Sequence, residues 1–388
     1  MKIVSVVGAR PNFMKIAPLL RAIKKHNTQH ASHSTIHHLL VHTGQHYDYE
    51  MSQVFFQDLE IPKPDFYLNI GSGTHAQQTG KVMIEFEKVL FQEKPNLVVV
   101  VGDVNSTLAA ALTAVKVHIP AAHVEAGLRS FDRTMPEEIN RLVTDIVSDY
   151  LFTPSPDADE NLKREGIAKE KIFLVGDVMV DSLLYNRARA SRSDILEKLG
   201  LTTHHASSIT PYALLTLHRP SNVDSRDSLI KIVNALKEVS QKIPIIFPAH
   251  PRTLKKLTEF QLLDSPPFAS DAVKVISPAG YIDFLNLEMN AMFVMTDSGG
   301  IQEETTVLDI PCLTLRNTTE RPITVTQGSN MLVWNDTQKI IEESLKILDG
   351  KGKKGSCPGF WDGKTAERIV EIITGRRYNK HRKSEEEQ

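Results

Sequence analysis

Short apolar runs recur along the chain, at residues 3–7, 39–43, 97–101, 121–124, 150–153 and 172–175, and again at 213–217, 243–247, 273–276, 292–296, 312–315 and 331–334. Their length and β-branched content predict strands. The segments between them, such as 106–117 and 229–242, carry helical periodicity. Strand and helix in alternation predict an α/β chain with parallel sheets covered by helices on both faces, and the pattern occurs twice. No short-period repeat accompanies it, so the duplication is one of architecture. The expected division is a first domain over 1–175 and a second over 176–364, starting where Gly176-Asp177 breaks the pattern. The helix at about 365–375 is a candidate to pack back on the first domain, and the charged segment 376–388 is expected to be a disordered tail.

Polar groups gather where the strands end. Gly8-Ala9-Arg10-Pro11, Thr43-Gly44-Gln45-His46, Gly102-Asp103, Glu125-Ala126-Gly127, His218-Arg219-Pro220 and Ser298-Gly299-Gly300 each follow an apolar run. Open α/β sheets bind ligands at that edge. In 296–304 the strand runs into Ser298-Gly299-Gly300 and then a helix start, which is how a phosphate cradle is built: glycines let backbone N–H groups approach an anion, and the helix terminus adds partial positive charge. Glu304, about a turn on, is placed to accept the two hydroxyls of a ribose. The plainer alternative makes Ser298 an N-cap and Glu303-Glu304 a solvated pair. Similar alternatives accompany the other sites. Arg10 and Lys15 flank a helix N-terminus, where cations are disfavoured unless an anion lies between them, so phosphate contacts are favoured. Asp103 reads equally as part of an N-cap. Glu125 ends a strand where a carboxylate has no structural duty, whereas Glu137 closes an apparent capping box, Thr134-Met135-Pro136-Glu137. His218 is either a satisfied histidine or, beside Arg219, a diphosphate contact.

Composition narrows the class. With 388 residues two domains of ordinary size are expected, and 45 basic against 47 acidic residues give a net charge of −2, which argues against nucleic acid or an anionic membrane as partner. No run approaches a membrane span, and 1–7 is too short for a signal peptide. Two cysteines, Cys312 and Cys357, provide neither a disulfide framework nor a metal spacing, so a cytoplasmic protein is expected. The histidines of 26–38 (His26, His30, His33, His37, His38) lack carboxylate or cysteine partners, and no metal is expected.

Gly-Ala-Arg-Pro-x-x-x-Lys at 8–15, Thr-Gly-Gln-His at 43–46, Gly-Asp at 102–103, His-Val-Glu-Ala-Gly-Leu-Arg at 123–129, Pro-Glu-Glu-x-Asn-Arg at 136–141, Thr-Asp-Ser-Gly-Gly-Ile-Gln-Glu-Glu at 296–304 and Thr-Thr-Glu-Arg-Pro at 318–322 resemble, in order and spacing, the non-hydrolysing UDP-N-acetylglucosamine 2-epimerases. The resemblance runs over about 1–375. It implies two Rossmann-like domains of glycosyltransferase-B type with the active-site cleft between them, a homodimer, and interconversion of UDP-N-acetylglucosamine with UDP-N-acetylmannosamine. It puts Arg10, His218, Ser298, Gly299, Gly300 and Arg321 around the diphosphate, Glu304 on the ribose, Phe284 and the backbone near Ala279 on the uracil, and Lys15 near the sugar phosphate. Asp103, Glu125 and Glu137 go to the chemistry, with His218 beside them. Ala279 replaces a polar residue of some members, and Leu217-His218 a more usual Gly-His. Gln45 and His46 match a loop that, in regulated members, contacts a second, activating UDP-N-acetylglucosamine, while 69–80 does not align with the partner segment.

The chemistry needs such a set. C2 has no adjacent carbonyl, so its proton is not acidic. If UDP leaves C1 first, positive charge develops beside C2 and a carboxylate can take the proton, giving a 2-acetamidoglucal; a second acid/base group then reprotonates the other face. No cofactor is required. A hydrolysing epimerase is disfavoured by Arg10-Pro11-Asn12, a sister epimerase for a UDP-2,3-diacetamido-uronic acid would share all these motifs, and a non-catalytic UDP-sugar sensor would not need three carboxylates.

Overall fold

The structure, a computed structural model, describes residues 1–30, 35–44, 56–202, 209–270 and 272–375. The chain forms two compact units, Met1–Leu184 joined by the segment from Gly359 onward, and Tyr185–Pro358.

The first unit carries strands β1 (Lys2–Val7), β2 (His37–His42), β3 (Phe66–Tyr67), β4 (Leu97–Val101), β5 (Ala121–Val124), β6 (Tyr150–Thr153) and β7 (Ile172–Leu174). They pair in parallel in the order β3-β2-β1-β4-β5-β6-β7. In the second unit β8 (Ala213–Thr216), β9 (Ile245–Pro248), β10 (Val273–Ile276), β11 (Phe293–Thr296), β12 (Cys312–Thr314) and β13 (Asn330–Leu332) form a parallel sheet in the order β10-β9-β8-β11-β12-β13. Both sheets therefore reverse direction of travel beside their first strand. The switch points lie between β1 and β4 and between β8 and β11, where a crevice opens at the strand ends.

The all-apolar strands are explained by helices on both faces. Successive side chains alternate across a strand, so Ala213, Leu215, Phe293 and Met295 join one core cluster with Ile232 and Leu236, while Leu214 and Val294 join another with Leu287 and Ile301. In the first sheet Val4, Val6, Val98 and Val100 pack with Val82, Phe86, Ala110 and Ala114.

Three strand boundaries move by two residues from expectation. β2 begins two residues earlier because the backbone of His37 and His38 pairs with Lys2 and Ile3, whatever the side chains. β9 begins later, and β13 stops before Trp334, whose φ of 53° leaves the extended region. β3 has only two residues, too few for a periodic signal.

The C-terminal segment docks on the first unit through polar contacts. Asp181 accepts from the Thr365 and Ala366 amides at 3.1 and 2.8 Å, capping the helix Thr365–Ile373, and Arg368 donates to the Val175 carbonyl at 2.8 Å. Burial raises the Asp181 carboxyl to about 6 against the pull of those amides.

Candidate active site

At the first switch point the loop after β1 is folded by Asn12. Its carbonyl accepts from the Gly8 and Ala9 amides, each at 3.1 Å, and its amide donates to the Val101 carbonyl at 2.9 Å, tying the loop to the end of β4. Nothing is described of the Arg10 side chain, although Arg10 itself opens the helix Arg10–Gln29. One turn on, Lys15 is buried and forms an ion pair with Glu125 at the end of β5. The anion expected beside this lysine is thus supplied, in this structure, by the chain itself. Gly102 makes the approach possible: its φ is +69°, and a Cβ there would lie 2.9 Å from the Lys15 Nζ.

Glu125 has a φ of 74°, a region that residues with a side chain rarely occupy. Such strain persists only where surroundings enforce it, and it clusters at functional sites. Here the amides of Glu125 and Ala126 both donate to the Phe152 carbonyl, at 3.1 and 3.0 Å. Beneath the loop, Asp145 meets His123 at 2.6 Å and Arg129 at 2.7 Å and accepts from the Gly127 amide at 3.0 Å, while the other His123 nitrogen meets the Gly102 carbonyl at 2.8 Å. Burial opposes ionisation of Asp145, but His123 and Arg129 hold its carboxyl below the usual range. This network joins the Gly102-Asp103 loop to the Glu125 loop.

Asp103 is not the N-cap of the next helix; that position belongs to Val104. Its carboxylate, about a third exposed, accepts from Arg141 at 2.5 Å. Arg141 is in turn held by Glu138 at 2.6 Å, whose oxygens also accept from the Ser130 and Phe131 amides. The capping box expected at Thr134 and Glu137 does not form. The N-cap of Pro136–Val147 is Met135 with no side-chain bond, because the Thr134 hydroxyl is drawn to Asp132 at 2.6 Å. The half-buried Glu137 carboxylate makes no hydrogen bond or ion pair among the described residues.

In the second unit Asp297, fully buried after β11, organises the loop after β8. It accepts from the His218 and Arg219 amides and from Asn222, and its Oδ1 lies 2.9 Å from His218 Nδ1. Burial works against its ionisation, yet the His218 contact and the Arg219 amide keep the carboxyl below the ordinary range. With Nδ1 engaged, the half-exposed His218 ring is left with Nε2 for a ligand.

Ser298 stands at the N-cap of Gly299–Leu308, but its side chain makes no capping bond, and that first turn has no acidic residue. Arg321 reaches this terminus, since a Cβ on Gly299 would lie 2.7 Å from its Nη1. The Glu303 and Glu304 side chains are not a solvated pair. Glu303 is buried and forms an ion pair with Arg321 through Nε, and Glu304 is buried and accepts from the Tyr281 hydroxyl at 2.9 Å. Arg316 grips Glu320 at 2.6 and 2.9 Å, with Arg219 at 3.8 Å and Arg321 at 4.0 Å, and these arginines overcome burial to hold its carboxyl well below the usual range. Ala279 and the N-cap Gly280 precede the helix Tyr281–Met289, whose Phe284 packs partly into the core beside Leu214 and Val294.

The first unit therefore brings together Lys15, Asp103 and Glu125, and the second His218, Ser298, Gly299, Glu304 and Arg321. Asn12, Glu138, Asp145 and Asp297 escaped the sequence reading as supports; the only signal was their position beside named motifs. Gln45, His46 and His33 lie outside the described residues, as does 376–388. Among the described residues no cluster of three or more His, Cys, Asp or Glu could hold a metal ion, and no helix is long and apolar enough to cross a membrane.

This arrangement has close relatives. A UDP-N-acetylglucosamine 2-epimerase of Methanocaldococcus jannaschii is 47% identical over 380 residues, covering 97% of this chain and 100% of the relative. Its crystal structure in complex with UDP-GlcNAc and UDP matches with a TM-score of 0.85 and 46% identity, covering 96% of this chain and 99% of that one. A UDP-2,3-diacetamido-2,3-dideoxy-D-glucuronate 2-epimerase of Pseudomonas aeruginosa is 42% identical over 376 residues, covering 96% of this chain and 99% of the relative. The two parallel sheets are those of the glycosyltransferase-B type. With the family model for UDP-N-acetylglucosamine 2-epimerase matching residues 28–374 as well, the chain belongs to the UDP-N-acetylglucosamine 2-epimerase family.

Proposed function

We propose that the protein interconverts UDP-N-acetylglucosamine and UDP-N-acetylmannosamine without hydrolysis, by eliminating UDP and adding it back. The observation that carries this reading is Glu125, a buried carboxylate held in a left-handed backbone conformation against Lys15 at one switch point. The other sheet carries, at its own switch point, a glycine turn with Arg321 against the helix terminus. Arg10, His218, Ser298, Gly299, Gly300 and Arg321 bind the diphosphate, Glu304 the ribose, and Phe284 and the Ala279 backbone the uracil. As the C1–O bond breaks, its electron pair passes to UDP, and these donors stabilise the charge that develops there. A carboxylate takes the C2 proton, and the pair from the C–H bond becomes the C1=C2 double bond. Return of a proton to the opposite face, with UDP oxygen adding at C1, completes the inversion. Asp103, Glu125 and Glu137 supply the acid and base. Lys15 pairs with Glu125 and Arg141 with Asp103, while Glu137 makes no ion pair among the described residues.

Bridge cleavage is tested with substrate carrying heavy oxygen between C1 and the β-phosphorus. Released UDP rotates, so the label is expected to scramble into the non-bridging β-phosphoryl positions; epimerisation with the label fixed would exclude cleavage. A second reading concerns the sugar alone, because the Pseudomonas relative acts, by its name, on a diacetamido-uronate. With both substrates in competition, the proposal expects the higher kcat/KM for UDP-N-acetylglucosamine. A homodimer is inferred from the resemblance and is checked by light scattering.

Glu137→Gln separates chemistry from structure. With no capping box to lose, melting should change by no more than about 0.5 kcal/mol, while turnover falls by roughly 10²-fold. Near-normal turnover with a lowered Tm would return Glu137 to a structural role.

A further inference from the structure

Glu288 is a buried titratable group for which this reaction has no use. It lies on the helix Tyr281–Met289 at 0% exposure, and neither carboxyl oxygen meets a hydrogen-bond donor among the described residues. Residues seven apart share a helix face. Glu288 therefore looks the same way as Tyr281, whose hydroxyl donates to Glu304 at 2.9 Å. Burial first, and the neighbouring Glu304 carboxylate second, push the Glu288 carboxyl well above its ordinary range. The other titratable groups facing it are Tyr281 and, on β12, the Cys312 thiol, which burial pushes up to about 12. Two adjacent buried carboxyl groups cannot both ionise without a cation between them, and no ion pair among the described residues reaches Glu288. A proton shared by the pair relieves that repulsion. Glu304, which already receives the tyrosine hydroxyl, is the better-supported anion.

We propose that Glu288 is a positioning residue: as a neutral carboxylic acid it donates its proton to Glu304 and, with Tyr281, turns that carboxylate so that its remaining lone pairs accept a vicinal diol. A carboxylate offers about four acceptor sites, and donors on its inner side fix which of them face a ribose. The inference rests on the assignment of Glu304 to the ribose.

The experiment measures Kd for UDP and for 2′-deoxy-UDP by calorimetry in wild type, Glu288→Gln and Glu288→Leu. Taking the ratio cancels the titration of the phosphate. Wild type is expected to prefer UDP by about 10-fold or more, a hydrogen bond to a charged group. Glu288→Gln retains a neutral donor and keeps that preference; Glu288→Leu loses most of it. Thermal melts supply a second readout. A carboxyl raised in the folded state binds a proton that the unfolded chain has lost, so wild-type stability declines as pH rises from the ordinary glutamate range toward the raised value. Both variants lack that group, and their Tm relative to wild type should climb as pH rises above the ordinary glutamate range. An unchanged preference in Glu288→Leu, or a Tm difference independent of pH in Glu288→Gln, would overturn the proposal. Should Glu288→Leu not fold, the Glu288→Gln melts still decide. Absence of any preference in wild type would instead remove Glu304 from the ribose, and the proposal with it.

Discussion

Replacing Glu125 by glutamine is expected to lower turnover by about 10²-fold or more and to weaken the fold at the same time. The two effects have separate causes. Turnover falls because an amide cannot take or hold a proton at C2. Stability falls because Lys15, 6% exposed, keeps its charge and loses its partner. Breaking one side of a buried ion pair typically costs about 3–5 kcal/mol. The double variant Lys15→Met with Glu125→Gln removes both charges and should recover most of the melting temperature while turnover stays low. Recovery of turnover along with stability would mean that Glu125 serves only to neutralise Lys15.

Arg321→Met carries the second large effect. Glu303, buried beside it, would lose the guanidinium it is paired with, and breaking one side of a buried ion pair typically costs about 3–5 kcal/mol. The cradle would lose the guanidinium that reaches the Gly299 helix terminus. A hydrogen bond to a charged group contributes about 1.5–3 kcal/mol, so UDP affinity should drop by roughly 10- to 100-fold. Arg321→Lys is the informative companion. An ammonium retains the charge but lacks the planar fork that holds Glu303 through Nε while Nη1 lies at the Gly299 helix terminus. It should restore stability more than affinity, which denaturation and calorimetry would separate. Wild-type affinity in Arg321→Met would remove this residue from the cradle.

Much of this architecture is legible in the sequence, for a physical reason. Parallel strands buried on both faces are apolar throughout, so Leu97–Val101 and Ala121–Val124 appear in the chain with the bounds they have in the fold. The strand-to-helix turn at Ser298-Gly299-Gly300 is legible because glycine there has a specific backbone use. Less legible are contacts that depend on distant partners. Lys15 and Glu125 are 110 residues apart, and nothing local to either announces the other. The capping box at Thr134 fitted a local rule, but an Asp two residues upstream outcompeted the helix for its hydroxyl. Glu303 and Glu304, side by side, leave a solvated pair open as the plainer alternative, whereas the helix turns one to Arg321 and the other to Tyr281. Glu288 escaped notice because an acid in an apolar helix usually lies on its wet face.

The most direct test of the central claim is incubation with UDP-N-acetylglucosamine in heavy water, followed by proton NMR. If UDP is eliminated and a proton is returned to C2 from an acid that exchanges with solvent, both epimers accumulate with deuterium at C2 and the nucleotide still attached. Epimerisation with the original proton kept at C2, or free N-acetylmannosamine as the main product, would contradict the account.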